Sequence, residues 1–295
     1  MPVRRPIARA SAPRWAGGPP PVRDNRWMPS APRALTEMPD PQFVMTGDGL
    51  RLATYLWGGV DADEPTVLAV HGFGSSARDN WVNTGWVRDL QAAGFRVLAV
   101  DQRGHGASEK PHDAAGYLMT TLVGDLLTVL DTYLLDTVRY LGYSLGARVG
   151  WELAVTYPHH VDRAVLGGIP DGRPLRRLDV AQARAFIENG TPVEDATTQR
   201  YVGLAQRVPG NDLRALVSIA EGMTVDGGDP DPATPPLQPV LFATGSDDPI
   251  LQQSRQLAGY APRGEFFEIE GRNHVNGPGA RAFREAGVGF LQRED

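Results

Sequence analysis

The 295-residue chain contains no cysteine, which excludes a disulfide frame, thiolate catalysis and a thiolate metal site, and fits a reducing compartment. Lysine is almost missing as well: Lys110 is the single one, so nearly all the basic charge is arginine. Nor does positive charge dominate, because 29 Lys and Arg against 35 Asp and Glu leave a formal net charge of -6. Phosphate-rich partners ask for a basic surface, so no general affinity for nucleic acid or acidic membranes is expected. No apolar run approaches the roughly 18 residues needed to span a bilayer. The amino-terminal stretch also lacks the apolar core of about 7 to 15 residues that a secretory signal requires. These absences leave a cytoplasmic protein acting on a small molecule as the expectation.

What is present begins with a tail. Up to about residue 41 the chain is rich in Pro, Arg, Ala and Gly, with Gly17-Gly18-Pro19-Pro20-Pro21 and no hydrophobic periodicity. That composition predicts a disordered or loosely packed segment. Residues 42–46 and 51–57 then alternate around Gly47-Asp48-Gly49 as a β-hairpin does. The continuous apolar runs 66–70 and 96–100 suit strands buried on both faces of a sheet. A helical stretch near 86–93 separates them, and an amphipathic helix over 122–134 follows. A strand over 137–141, a helix to about 157 and a strand over 164–169 continue the alternation. The alternation breaks over 171–236, where three helical patterns (180–188, 194–207 and 212–223) close on the Gly/Pro/Asp-rich run 227–236. It resumes with strands over 239–244 and 265–269 and helices near 253–258 and 281–291. Strands alternating with helices predict an α/β fold with a doubly wound, mostly parallel sheet. We therefore expect a core of residues 42–170 and 237–295 with a helical lid, 171–236, inserted in it.

The stretch that carries chemistry is Leu141-Gly142-Tyr143-Ser144-Leu145-Gly146-Ala147. An apolar strand runs into a serine between two glycines and then into a helix, the pattern of a nucleophile elbow. The glycines are required because the sharp turn brings neighbouring backbone too close for side chains. Behind Ser144, the Leu145 amide and the positive end of the helix dipole point to where an oxyanion would form. Gly245-Ser246-Asp247-Asp248 and Gly271-Arg272-Asn273-His274 follow later strands, so nucleophile, acid and base occur in the order Ser144, Asp248, His274. A serine hydroxyl attacks at neutral pH only if an imidazole takes its proton, and a carboxylate must hold that imidazole in the right tautomer. Asp247 and Asp171 are alternative candidates for the acid. Ligands of such sheets sit beyond the carboxyl ends of the strands, where all these loops lie.

His71-Gly72-Phe73-Gly74, Asp101-Gln102-Arg103-Gly104-His105-Gly106-Ala107-Ser108, the elbow, Gly245 to Asp248 and His274 together resemble the α/β-hydrolases of the single-domain, helical-lid group. That group includes esterases, enol-lactonases, carbon–carbon bond hydrolases and cofactor-free haloperoxidases. The resemblance covers the chain from about residue 42 onward. It implies an oxyanion hole made by the backbone amides of Phe73 and Leu145, no metal or organic cofactor, and an ester or lactone as the small-molecule substrate. It also implies serine as nucleophile for acyl groups and aspartate for epoxides or halides, so Ser144 points to acyl chemistry. Peroxycarboxylic-acid formation or carbon–carbon cleavage on the same triad, and a non-catalytic ligand receptor on the same fold, are the alternatives.

Other residues have quieter readings. His71 and His105 are expected to shape loops, and His112, His159 and His160 to lie at the surface without metal-ligand spacing. Tyr143, Trp81 and Phe186 are candidates for the substrate pocket, with Trp86, Tyr201, Leu204 and Met223 facing either substrate or core. A dinucleotide-binding reading rests on Gly72-x-Gly74-x-x-Ala77 followed by Asp101. The preceding hairpin, and a Ser/Asp/His set left without a role, weigh against it.

Overall fold

A computed structural model describes residues 36–59, 64–172, 175–208, 210–225 and 230–294. The tail expected over residues 1–41 lies outside the described residues except for its last six, and these are tied down: Trp57 Nε1 donates to the Glu37 carbonyl at 2.9 Å and Met38 packs on the core. A polar backbone acceptor and one apolar side chain suffice to anchor what composition alone reads as loose.

The strands are β1 (Gln42–Met45), β2 (Arg51–Trp57), β3 (Thr66–Val70), β4 (Arg96–Val100), β5 (Val138–Tyr143), β6 (Val161–Gly167), β7 (Val240–Gly245) and β8 (Gly264–Ile269). They form one eight-stranded sheet in the order β1-β2-β4-β3-β5-β6-β7-β8. β1 and β2 are antiparallel, β2 joins β4 antiparallel, and the remaining neighbours are parallel. Residues of β3 and β4 are all buried because the pleat sends Leu68, Val70, Leu98 and Val100 into one core layer and Val67, Ala69, Val97 and Ala99 into the other. α2 (Met119–Thr132), α3 (Leu145–Thr156) and α7 (Leu251–Tyr260) cover the first face. α1 (Trp86–Ala92) and α8 (Arg281–Leu291) cover the second.

Strand order reverses between β3 and β5: the chain leaves β3 for β4 on one side and returns to β5 on the other. The crevice beyond the carboxyl ends at such a reversal is where open α/β sheets bind ligands. Val70 pairs with Gly142 in register, so the loop after β3 and the turn after β5 leave the sheet side by side.

Between β6 and β7 the chain forms α4 (Val180–Asn189), α5 (Ala196–Arg207) and α6 (Leu213–Val225). Asp179 and Asp195 cap the first two, accepting from the amides of Gln182 and Thr198. These helices share a small core of Leu178, Ala183, Val202, Val217 and Ala220. Part of the Gly/Pro/Asp run expected to close this segment, residues 227–229, lies outside the described residues. Among the described residues no helix is long and apolar enough to cross a membrane.

Candidate active site

Ser144 follows β5 with φ 53° and ψ -112°, a conformation that non-glycine residues seldom adopt. Its amide donates to the Gly167 carbonyl of β6 at 2.8 Å, and its carbonyl accepts the first helical bond of α3 from Arg148 at 3.0 Å. Both flanking glycines are compulsory. A Cβ at Gly142 would stand 2.6 Å from the Gly146 carbonyl oxygen, and one at Gly146 only 2.1 Å from that of Val70.

His274 Nε2 lies 2.9 Å from Ser144 Oγ, and its Nδ1 lies 2.7 Å from Asp248 Oδ2. With Nδ1–H donated to the carboxylate, Nε2 is left as the acceptor for the serine proton. The Asp248 side chain is fully buried, whereas that of His274 remains 37% exposed, so the line of groups runs from the interior out toward half-buried Ser144. Its register comes from two loops that interlock: Ser246 N–H donates to Ile269 O, Asp247 N–H to Arg272 O, and Gly271 N–H to Ser246 Oγ. Asp248 Oδ1 also accepts the Ile250 amide at 3.1 Å. Asp247, one residue earlier, is exposed and receives only the Ser246 hydroxyl, at 3.2 Å. Asp171 faces Arg176 at 3.5 Å rather than the imidazole. Of the three candidate carboxylates, Asp248 is the one brought to His274.

Across from the serine runs the loop after β3. A Cβ at Gly72 would sit 3.2 Å from Ser144 Cβ, which measures how closely this backbone approaches the hydroxyl. The neighbouring amides are occupied: Gly72 N–H donates to Asn80 Oδ1 at 2.8 Å, Gly74 N–H to His105 Nε2 at 3.0 Å, and Ser75 N–H to the Gly72 carbonyl at 3.2 Å. Phe73 lies between them, and among the described residues its amide has no backbone or side-chain acceptor. Leu145 opens α3, and an amide in that first turn has no intrahelical acceptor.

His71 and His105 brace this loop from below. His71 donates from Nδ1 to Gly72 O and accepts the Gln102 amide on Nε2 at 3.0 Å; His105 donates from Nδ1 to Arg103 O. Burial pushes both imidazoles below their usual range, with Asp101 opposing the shift at His71 and the His71 ring reinforcing it at His105. Asp101 accepts the amides of Ala77 and Ala107 and the Tyr55 hydroxyl. Its carboxylate is thus spent on loop geometry, which removes the ribose-binding role that the dinucleotide reading needs. His112 pairs with Asp212 at the surface, and among the described residues no cluster of three or more His, Asp or Glu is arranged to hold a metal ion.

The pocket expected from sequence is corrected. Trp81 has no exposed surface and packs edge-on against Trp86 in the core layer under α1, where the large ring fills space beside the sheet. Tyr143 is almost as buried and sends its hydroxyl to the His274 carbonyl at 2.8 Å. Phe186 packs with the inserted helices' own core, because Ala183, Phe186 and Ile187 form one apolar stripe of α4 turned toward α5 and α6. Tyr201 is the ring that stands over the loop, its centroid 5.9 Å from that of Phe73 at 78°. Met223 is wholly buried in the main core, whereas Leu204 is half-buried. Two residues went unmarked in the sequence: Asn80, and Asn211, whose Nδ2 donates to the carbonyls of Gly74 and Ala205 at 2.8 and 2.9 Å. An asparagine in a loop or short helical turn carries no signal of such a role.

A family model for the α/β hydrolase fold matches residues 65–216. The chain belongs to the α/β-hydrolase fold family. Among relatives of this α/β-hydrolase, epoxide hydrolase B of Mycobacterium tuberculosis is 31% identical over 200 residues, spanning 58% of this chain and 54% of that protein. The AB hydrolase superfamily protein YfhM of Bacillus subtilis is 32% identical over 140 residues, 46% of each chain. The chain spans about half the length of these curated relatives. Among solved structures, the enol-lactonase from Burkholderia xenovorans LB400 superposes with a TM-score of 0.72 at 22% identity, over 85% of this chain and all of that one. Bromoperoxidase from Bacillus anthracis does so with 0.67 at 20% identity, over 86% of this chain and all of that one. At these identities the likeness is one of fold.

Proposed function

We propose that this α/β-hydrolase is a serine hydrolase that cleaves a carboxylic ester or lactone through an acyl-enzyme on Ser144. The observation that carries the reading is the unbroken line from buried Asp248 through His274 to Ser144 Oγ, at 2.7 and 2.9 Å. As Oγ attacks the carbonyl carbon, its proton passes to His274 Nε2, and the carbonyl oxygen gathers charge beside the amides of Phe73 and Leu145. His274 then returns the proton to the departing alkoxide, and later takes one from the water that splits the acyl-serine. Asp248 keeps the imidazole in the Nδ1–H tautomer and stabilises its charged form. We read α4, α5 and α6 as a lid over this site, supported by Tyr201 on Phe73 and Asn211 on Gly74.

The relatives named epoxide hydrolases raise a second reaction, and the identity of residue 144 weighs against it. A carboxylate that opens an epoxide becomes an ester, which water can cleave; a serine that did so would become an ether, with no carbonyl for water to attack. A panel of p-nitrophenyl esters of rising acyl length, simple lactones and a terminal epoxide distinguishes the cases. Ester or lactone turnover is expected to fall by about four to six orders of magnitude in Ser144→Ala. Epoxide turnover, or a Ser144→Ala variant at full activity, would overturn the assignment.

A further inference from the structure

Tyr143 precedes the nucleophile and is built into its site more closely than a core tyrosine needs to be. It closes β5 opposite Gly167 of β6. Three glycines make room for its ring: a Cβ at Gly167 would lie 2.7 Å from Tyr143 Cδ2, one at Gly168 3.0 Å from Cζ, and one at Gly277 2.7 Å from the hydroxyl oxygen. Gly168 has φ 56°, so its backbone too is one that a side chain would strain. The ring leans on the imidazole of His274 with centroids 5.5 Å apart, and the hydroxyl donates to the carbonyl of that same residue at 2.8 Å. Burial, reinforced by Asp248, pushes the phenol well above its ordinary range, so it remains a donor wherever the relay operates.

The loop that carries His274 needs such a tie. Gly271, Arg272, Asn273, Val275 and Asn276 are exposed. The loop's own bonds are local: Asn273 N–H to Asn276 Oδ1, the amides of Val275 and Asn276 to Asn273 Oδ1, and Gly277 N–H to Asn273 O. The ties to the rest of the fold fall on either side of His274, at Gly271 and Arg272 through the β7 turn and at Pro278, whose carbonyl accepts Trp86 Nε1 at 3.0 Å; the bond on the His274 main chain itself comes from the Tyr143 hydroxyl, on the residue covalently joined to Ser144.

We infer that Tyr143 is a positioning residue, which holds the His274 main chain so that the imidazole stays within proton-transfer distance of Ser144 Oγ. The inference rests on the serine-hydrolase reading of the site. One side chain then spans nucleophile and base: when the β5 turn fixes Ser144, it fixes the base as well. Displacement of a reacting group by about 1 Å costs on the order of 100-fold in rate, and a hydroxyl that prevents such drift acts on turnover rather than on substrate affinity.

The test compares Tyr143→Phe, Gly277→Ala and their double variant with the wild type, by the rate at which a fluorophosphonate labels Ser144 and by kcat and KM on a p-nitrophenyl ester. Tyr143→Phe is expected to lower both the labelling rate and kcat by about 10- to 100-fold with KM within about twofold. Gly277→Ala, whose methyl would displace the hydroxyl, should do the same, and the double variant should be no slower than the worse single one, because both remove one bond. Thermal melts establish that each variant is folded. A merely structural tyrosine would lower the melting temperature and leave the folded enzyme's rates unchanged, and a folded Tyr143→Phe protein that labels at the wild-type rate overturns the inference. A wild type that never labels at Ser144 removes the serine-hydrolase reading and this inference with it.

Discussion

Ser144 is held at positive φ at a cost of about 1–3 kcal/mol, which the paired backbone around it must offset. What the strain secures is position: half-buried Ser144 faces His274 at the end of β5 while the glycines on either side let β3 and α3 close in to within contact of one another. The proposed choice of Asp248 as the acid also rests on this scale. Asp247 and Asp248 are adjacent on one turn, and the sequence marks both; the turn sends one to solvent and the other beneath the imidazole, fixed by the Ile250 amide. The prediction is that Asp248→Asn lowers kcat by about 10³- to 10⁴-fold, as expected when the imidazole loses its tautomeric control, while Asp247→Asn stays within about twofold. Steady-state kinetics on one ester, with both variants shown to be folded, checks this. Equal effects at the two positions would contradict the assignment.

At the scale of elements, the loop after β3, proposed to form the oxyanion hole, depends on two buried histidines beneath it. His71 and His105 lie fully buried and neutral, each accepting a main-chain amide on Nε2. Their folded-state protonation is pushed below the ordinary value of 6.5, so below that pH the unfolded chain binds more protons than the native one. The stability they contribute is complete above about pH 6.5 and is lost as pH falls, at up to about 1.4 kcal/mol per pH unit for each histidine. Melting temperatures between pH 6.5 and 5 should therefore decline in the wild type, and His105→Gln should remove about half of that slope. An unchanged slope would show that His105 does not carry it.

The strands beneath these loops were readable because β3 and β4 are buried on both sides, and a run such as Thr-Val-Leu-Ala-Val admits little else between turn residues. Helix starts were less so: α2 begins at Met119 rather than at residue 122, since two threonines in its first turn blur the apolar period. The juxtaposition of Ser144, His274 and Asp248 was readable because the proposed chemistry demands particular residue types at strand ends. The pocket was not, because a tryptophan or phenylalanine on a helix has the same spacing whether it turns to substrate or to core. Trp81 and Phe186 turn to core, and the ring over the loop after β3 belongs to Tyr201.

At the scale of the whole molecule, strand order does the assembling. Because the sheet reverses between β3 and β5, residues far apart in the chain, Phe73, Ser144, Asp248 and His274, meet at one carboxyl edge, and the inserted helices return over it through Tyr201 and Asn211. The chain's net charge of -6 gives no general electrostatic draw toward polyanions, and the proposed small-molecule ester or lactone agrees with it. This convergence is proposed to activate Ser144 as a nucleophile. It is tested most directly by treating the folded protein with a fluorophosphonate and locating the adduct by peptide mass spectrometry. A single adduct is expected on the peptide containing Ser144, absent in Ser144→Ala and formed far more slowly in His274→Ala; a folded protein that stays unlabelled, or that is labelled at another residue, would contradict the activation of Ser144.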